Sequence, residues 1–248
     1  MFKPAEGLPY TKFLERFHSE VLLDWYLEIG CQKGRSFAPS RSKTIAVDPY
    51  FRVKRDVINA KTSLHIFQTT SDAFYAEKFL DKMKIKLSFS FLDGMHLFEF
   101  LLRDVINTEA HSAKDGVIAL HDCCPFSLEM TTRDVKNLPR GAWTGDVWKL
   151  LPILQEYRPD LKITVLDAAP TGLVLISNLA PKNTVLLENY DAILAKYLHL
   201  ELEDHGVSRF FNSFAYTSTE AFIAEGFPLF AKLRLDPGLA YTPVMVST

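Results

Sequence analysis

Two short stretches place an aspartate and a histidine where they can do chemistry: "SFLDGMHLFEF", residues 90–100, and "VIALHDCCP", residues 117–125. In each, the polar pair comes at or just beyond the end of an apolar run that reads as a strand. Asp93 and His96 are three residues apart, so a helix starting there points both side chains toward one pocket. Imidazole titrates near neutral pH, which suits His96 to removing a proton from a hydroxyl. His121 and Asp122 close the next run. Neighbouring strands lie ~5 Å apart, so Asp93, His121 and Asp122 can converge on one hard cation such as Mg2+. A plainer reading stays open beside this one: Asp93 before Gly94 as a helix cap, and Asp122 as a turn residue.

Such groups need a scaffold that brings strand ends together. Candidate strands cover 25–29, 43–47, 64–67, 87–92, 116–120, 162–166 and 172–177. Between them lie helix-like stretches at 11–23, 35–39, 71–83, 96–111 and 146–157. This alternation predicts βαβ units and a mostly parallel sheet covered on both faces. The last two strands are joined by only "DAAPT", too short for a crossover helix, so the last strand is expected to be antiparallel. The expected fold is therefore α/β: a Rossmann-like, seven-stranded sheet with helices on both faces and a helical C-terminal extension. Residues 1–180 would form the main domain. Residues 181–248, starting with a helix over 183–202, would form the extension. The sequence leaves it three roles: covering the site, packing on the sheet, or building a homo-oligomer.

In open α/β sheets, ligands bind beyond the carboxyl ends of the strands. There the first strand runs into Glu28, Gly30 and Gly34, spaced E-x-G-x-x-x-G. Glycine after a strand allows a sharp turn and close approach of a ligand. A carboxylate in that loop repels a pyrophosphate and favours a cationic group such as a sulfonium. Gln32 stands where the dinucleotide fingerprint needs its second glycine, which argues against a dehydrogenase. Asp48 ends the second strand in "TIAVDP", placed either to accept from ribose hydroxyls or to shape the turn before Pro49. Ser71 and Asp72 follow the third strand as helix-cap residues, as neighbours of an adenine, or as both.

Taken in order over residues 25–177, "YLEIGCQKGRSF", "IAVDPY", "TTSDAFY", "FLDGMHLFEFLLRDV", "GVIALHDCCP" and "GDVWKLLPILQEYRPDLKITVLDAAPTGLVLI" resemble class I S-adenosylmethionine-dependent methyltransferases. The nearer resemblance is to the macrocin O-methyltransferase-like branch acting on small molecules. It implies S-adenosylmethionine as cofactor, with Glu28, Gly30, Cys31 and Gly34 in the loop facing its methionine part. It places Asp48 at the ribose and Ser71 with Asp72 beside the adenine. It also implies His96 as general base next to Asp93, a divalent cation (Mg2+ or similar) held by Asp93, His121 and Asp122, and a small hydroxylated or sugar-bearing acceptor. The chain departs from the pattern where many members carry a further glycine and it has Cys31 or Gln32. A fold-keeping but inactive scaffold is the rival reading, against which the intact D-x-x-H and H-D pairs count.

Composition narrows the partners. A net charge of −2 and a pI near 6.4 give no pull toward nucleic acid or an anionic membrane. No run approaches the ~18 apolar residues of a membrane span, and MFKPAEG has no signal-type apolar core, so a cytoplasmic location is expected. Three cysteines, with Cys123 and Cys124 adjacent, do not form a disulfide framework and read as small buried residues. Trp143, Trp148 and Phe126 are candidates for either the acceptor pocket or the core. Arg52, Lys54, Arg55 and Lys61 read as a solvated basic face.

Overall fold

Runs of four to six branched and aromatic residues, apolar on both faces, are buried only when both sides of a sheet are covered. In the computed structural model, which describes residues 1–239, they form one eight-stranded sheet. Its strands are β1 (Trp25–Ile29), β2 (Lys43–Val47), β3 (Leu64–Phe67), β4 (Leu87–Leu92), β5 (Ser112–His121), β6 (Lys162–Leu166), β7 (Leu173–Ser177) and β8 (Tyr216–Thr217). They lie in the order β3-β2-β1-β4-β5-β7-β6-β8. The first five pair in parallel, and β7 runs antiparallel between β5 and β6, as the short connection requires. The expected seven strands become eight because the C-terminal extension adds β8, parallel to β6. Strand order reverses between β1 and β4, which opens a crevice at their carboxyl ends.

The helices are α1 (Tyr10–Glu20), α2 (Ser71–Ala76), α3 (Phe79–Lys82), α4 (Phe98–His111) and α5 (Leu150–Tyr157), followed by α6 (Val185–Glu188), α7 (Tyr190–Tyr197), α8 (Leu202–His205), α9 (Val207–Asn212) and α10 (Thr219–Ala224). Strand alternation divides the core between two faces. Leu27 and Ile29 join α4, α5 and α7 on one side, while Tyr26, Phe89 and Phe91 join α1 and α10 on the other.

Three expected helices differ. Residues 35–39 form turns, started by the Gly34 N–H donating to the Cys31 carbonyl. The 71–83 helix breaks at Lys78, whose left-handed φ of 55° cannot continue it. The 183–202 helix breaks at Asn189, between α6 and α7. The extension is more ordered than its aperiodic sequence suggests. Phe210 and Phe211 pack into the first core, and Phe222, Phe227 and Phe230 into the second, so residues 181–239 wrap both faces. Residues 240–248 of the expected extension lie outside the described residues. No helix among the described residues is long and apolar enough to cross a membrane.

Candidate active site

Register places the two Asp/His pairs side by side. Leu92 of β4 pairs with Leu120 of β5, so Asp93 emerges next to His121. Asp93 Oδ1 lies 3.2 Å from His121 Nδ1 and 3.5 Å from His96 Nε2. Asp122 reaches the same two rings, Oδ2 at 3.3 Å from His96 Nε2 and Oδ1 at 3.4 Å from His121 Nδ1. It does so from a left-handed backbone (φ 61°), with Thr171 Oγ1 donating to Oδ1 at 2.7 Å.

Hydrogen-bond arithmetic separates the two histidines. His96 Nδ1 is 2.8 Å from the Trp143 carbonyl, and a carbonyl only accepts, so Nδ1 carries a proton. A neutral His96 then turns its Nε2 lone pair toward two carboxylates. Three acceptors facing one another require a cation between them, a proton or a metal ion. Ligand atoms of Asp93, His96 and Asp122 all lie within 4.8 Å of one another. His121 instead meets both carboxylates through Nδ1. Its Nε2 faces Thr171 Oγ1 at 3.4 Å, a hydroxyl whose hydrogen is committed to Asp122, so both ring nitrogens donate.

Burial, the largest influence on His121, disfavours that charge, but Asp122 and Asp93 outweigh it and hold the imidazole well above its ordinary pKa. Burial pushes Asp93 up, and the two histidines outweigh it to keep the carboxyl below the usual range. For His96, too, burial pulls down and Asp93 with Asp122 pulls harder, leaving the ring raised. This departs from the expected ligand set. His121 is a built-in cation behind the carboxylates, under the Tyr10 ring at 3.9 Å between centroids, and His96 stands at the point of convergence.

Asp93 does not serve as the helix cap that the plainer reading assigned to it. The first turn of α4 is capped from a distance: the Phe98 N–H donates to Asp146 Oδ1 at 2.9 Å. Asp146 Oδ2 also takes Lys149 Nζ at 2.7 Å and Arg133, which in turn forks onto Glu99 of α4. The Asp146 N–H donates to the His96 carbonyl at 3.2 Å. Gly145, at φ 54°, passes so close that a Cβ there would sit 1.6 Å from that carbonyl oxygen. The loop carrying Trp143, Gly145 and Asp146 thus straps His96 in place. Nothing in the sequence marked these residues for this role. A Gly-Asp pair before α5 reads as a cap for α5, not for a helix 48 residues upstream.

The cluster forms one wall of a cavity of about 720 Å³ beyond the ends of β1, β2 and β4. Gly30, Asp48, Ser71, Asp72, Asp93 and His96 line it. Asp48 holds the floor by accepting the N–H groups of Gln32 and Tyr50, and each of its oxygens keeps a second lone pair. Thr70, rather than Ser71 or Asp72, caps α2, and Asp72 is clamped by Arg103 of α4. Tyr10, Gln32, Tyr50 and Trp143 complete walls that sequence reasoning did not assign to the cofactor.

Glu28, Cys31 and Gly34 are not cavity walls. Glu28 is 0% exposed on the Tyr26 face of β1, where its carboxyl accepts Tyr26 Oη at 2.5 Å and Ser36 Oγ at 2.6 Å. Burial outweighs those hydrogen bonds and pushes its pKa up to about 8, so the carboxyl is largely protonated at pH 7. Cys31 is buried under the turn with its thiol on the Glu28 carbonyl, and Gly34 packs against Val57 and Phe37. Trp148 is core and Cys123 and Cys124 are buried and free.

No protein-family model matches the chain, and no curated protein matches it either. Among solved structures, the cofactor-bound Rv0187 from MTB aligns over 70% of this chain and 80% of its own, with TM-score 0.52 at 14% identity. An O-methyltransferase from Bacillus cereus in complex with SAH aligns over 68% and 80%, with TM-score 0.49, also at 14% identity. The chain shares its Rossmann-like α/β fold with the first of these. Within this fold the cavity occupies the switch point of the sheet, where α/β proteins bind their ligands.

Proposed function

We propose that this protein is a cytoplasmic S-adenosylmethionine-dependent methyltransferase that methylates a hydroxyl of a small, hydroxylated or sugar-bearing acceptor, with His96 as general base. The observation that carries this reading is the convergence of Asp93, His96 and Asp122 on the wall of a cavity that Gly30 and Asp48 also line. The cavity falls within the ~300–1,000 Å³ typical of small-ligand sites. The spare lone pairs of Asp48 suit ribose hydroxyls, and Ser71 with Asp72 gives a polar edge for an adenine. The three free, buried cysteines suit a reducing compartment.

Bound there, S-adenosylmethionine supplies an electrophilic methyl group on a sulfonium. The chain's own residues do the rest. Asp93 and Asp122 orient the acceptor hydroxyl against His96. Once Nε2 has given up any proton it shares with the carboxylates, the neutral His96, its tautomer set by the Trp143 carbonyl, takes the hydroxyl proton there as the O–CH3 bond forms and the S–CH3 bond breaks. The carboxylates at 3.3 and 3.5 Å then stabilise the imidazolium, and S-adenosylhomocysteine leaves as a neutral thioether. A divalent cation such as Mg2+ fits the same donors: Asp93 and Asp122 would hold it, with His96 at its edge, and it would supply Lewis acidity toward the acceptor oxygen.

Calorimetry with S-adenosylhomocysteine, against NAD as control, tests the cofactor half. Release of S-adenosylhomocysteine over a panel of hydroxylated acceptors, for wild type and His96→Ala, tests the chemistry. The expected result is a loss of about 10²–10⁴-fold in turnover with cofactor affinity retained. Unchanged turnover removes His96 from the mechanism. Binding of NAD but not of S-adenosylhomocysteine favours an oxidoreductase.

A further inference from the structure

Beside the main cavity lies a second one of about 560 Å³. The start of α1 is the wall between them: Tyr10 lines the first cavity, Thr11 and Lys12 the second. The opposite side of the second cavity is built by Arg35 and Arg55, with Asp56 and Asn59. We infer that this second cavity is an anion site, and that it takes a phosphate or carboxylate carried by the methyl acceptor while the acceptor's hydroxyl lies against His96. The inference deepens the methyltransferase reading and rests on it.

The charges at this site are unequally spent. Glu15 pairs with Lys12 at 2.8 Å, and Asp56 accepts the N–H groups of Ile58 and Asn59 through Oδ1 at 2.9 and 3.1 Å while keeping its charge, so two arginines face one uncompensated carboxylate. Arg35 and Arg55 are exposed, and among the described residues neither has a carboxylate within ion-pair distance. Arg103, Arg133 and Arg158 behave differently, each forked onto an acidic partner. The two free guanidiniums face a space large enough for a substituent, with the donor geometry that suits phosphate and carboxylate oxygens.

A third cation stands behind them. Lys61 is only 6% exposed, which overturns its reading as part of a solvated face. Its Nζ donates to the carbonyl of Ala38, a residue of the cavity wall, at 3.0 Å and reaches no carboxylate within ion-pair distance. Burial lowers its pKa to about 8, with the nearby charge of Asp56 opposing that shift, so the ammonium remains largely charged at neutral pH. An anion in the cavity would add to the offset that Asp56 already gives. Lys33, Arg52 and Lys54 are exposed on the same two loops and add to the positive potential at the mouth. This potential is local, because the whole chain carries a net charge of −2.

The position ties the site to the chemistry. Tyr10 of the main cavity and Thr11 of the second are consecutive residues, and the Tyr10 ring lies tilted against His121 at 3.9 Å between centroids. An acceptor spanning the Tyr10 ring would thus place its acid at Arg35 and Arg55 and its hydroxyl at His96.

Calorimetry on the full chain tests this with pyrophosphate, glucose 1-phosphate, glucuronate and neutral methyl glucoside as probes. The proteins are wild type and the Arg35→Gln/Arg55→Gln double variant, whose exposed positions leave the core intact. Wild type should bind at least one of the anionic probes, more weakly as salt is raised, and methyl glucoside not at all. The double variant should bind that probe at least about tenfold more weakly, with affinity for S-adenosylhomocysteine within about twofold of wild type. A preference for glucose 1-phosphate assigns the site to phosphate, and a preference for glucuronate assigns it to carboxylate. Equal binding of methyl glucoside, or anion binding unchanged in the double variant, overturns the proposal. A parallel loss of S-adenosylhomocysteine affinity also overturns it, by giving the arginines to the cofactor. Anion binding at the arginines without any S-adenosylhomocysteine binding by wild type would overturn the methyltransferase reading and the acceptor role with it.

Discussion

Replacing Glu28 by glutamine separates two accounts of the loop after β1. If the side chain were an anion facing a sulfonium, losing its charge would weaken cofactor binding. In the structure it is buried between Tyr26 and Ser36, with its pKa raised to about 8 from the usual 4.5, chiefly by burial. A carboxyl whose folded pKa exceeds its unfolded one gives stability that is complete below 4.5 and is lost as pH climbs toward 8, because unfolding then releases a proton. At pH 7 the gap from the unfolded value is roughly 2.5 units, worth about 3 kcal/mol at ~1.36 kcal/mol per unit. Glutamine keeps the shape without the titration. Its carbonyl accepts from one hydroxyl, and its NH2 donates to the other. Urea unfolding of both proteins should therefore show the stability difference, Glu28→Gln minus wild type, growing by about 3 kcal/mol between pH 4.5 and pH 7. Affinity for S-adenosylhomocysteine should stay within about threefold. A difference independent of pH would refute the neutral acid, and a loss of about tenfold or more in affinity would return the carboxylate to the cofactor site.

Four further outcomes are expected. Asp146→Ala uncaps α4 and leaves Arg133 and the 1%-exposed Lys149 without their shared carboxylate; urea unfolding should show a loss of about 4 kcal/mol. Gly145→Ala drives a Cβ into the His96 carbonyl, so turnover should fall further than affinity for S-adenosylhomocysteine, a split read from kinetics beside calorimetry. His18 is buried with an unpartnered Nε2 and a pKa pulled to about 3 by burial and then Lys61; its folded pKa lies below 6.5, so it costs stability as pH falls. His18→Gln should accordingly remove about 2 kcal/mol of the decline between pH 6.5 and pH 5 in urea titrations. Finally, EDTA should lower turnover and Mg2+ restore it, while Asp122→Asn should lose the Mg2+ response; turnover indifferent to both reagents would leave a proton as the cation of the cluster.

The strands were legible because their pattern is local. Five of the seven expected runs, such as 25–29 and 87–92, match the observed bounds residue for residue. The approach of Asp93 to His121 and Asp122 was legible for the same reason, since residues at strand ends must meet once the strands are adjacent, whereas His96 in place of His121 at the point of convergence was not. The burial of Glu28 was legible too: period-two alternation puts it on the Tyr26 face, under the sheet rather than at its end. Asp146, Trp143, Tyr10 and Thr171 act across long sequence separations, which no local pattern encodes. The phenylalanines of the extension carry no periodicity because several short helices divide them between two cores.

The smallest strand has a consequence for how molecules of this protein meet. Unpaired strand margins invite growth of a sheet from one molecule into the next. Tyr216 and Thr217 occupy part of the outer margin of β6, opposite Val165 and Leu166. Asp167 then fastens the arrangement to both ends of the chain, accepting from the Gly7 N–H at 2.7 Å and the Thr219 N–H at 2.7 Å. A chain cut before residue 216 would lose more than a tail. It would bare a hydrogen-bonding edge beside newly uncovered phenylalanine pockets, and its failure would show as aggregation rather than as a simple drop in activity.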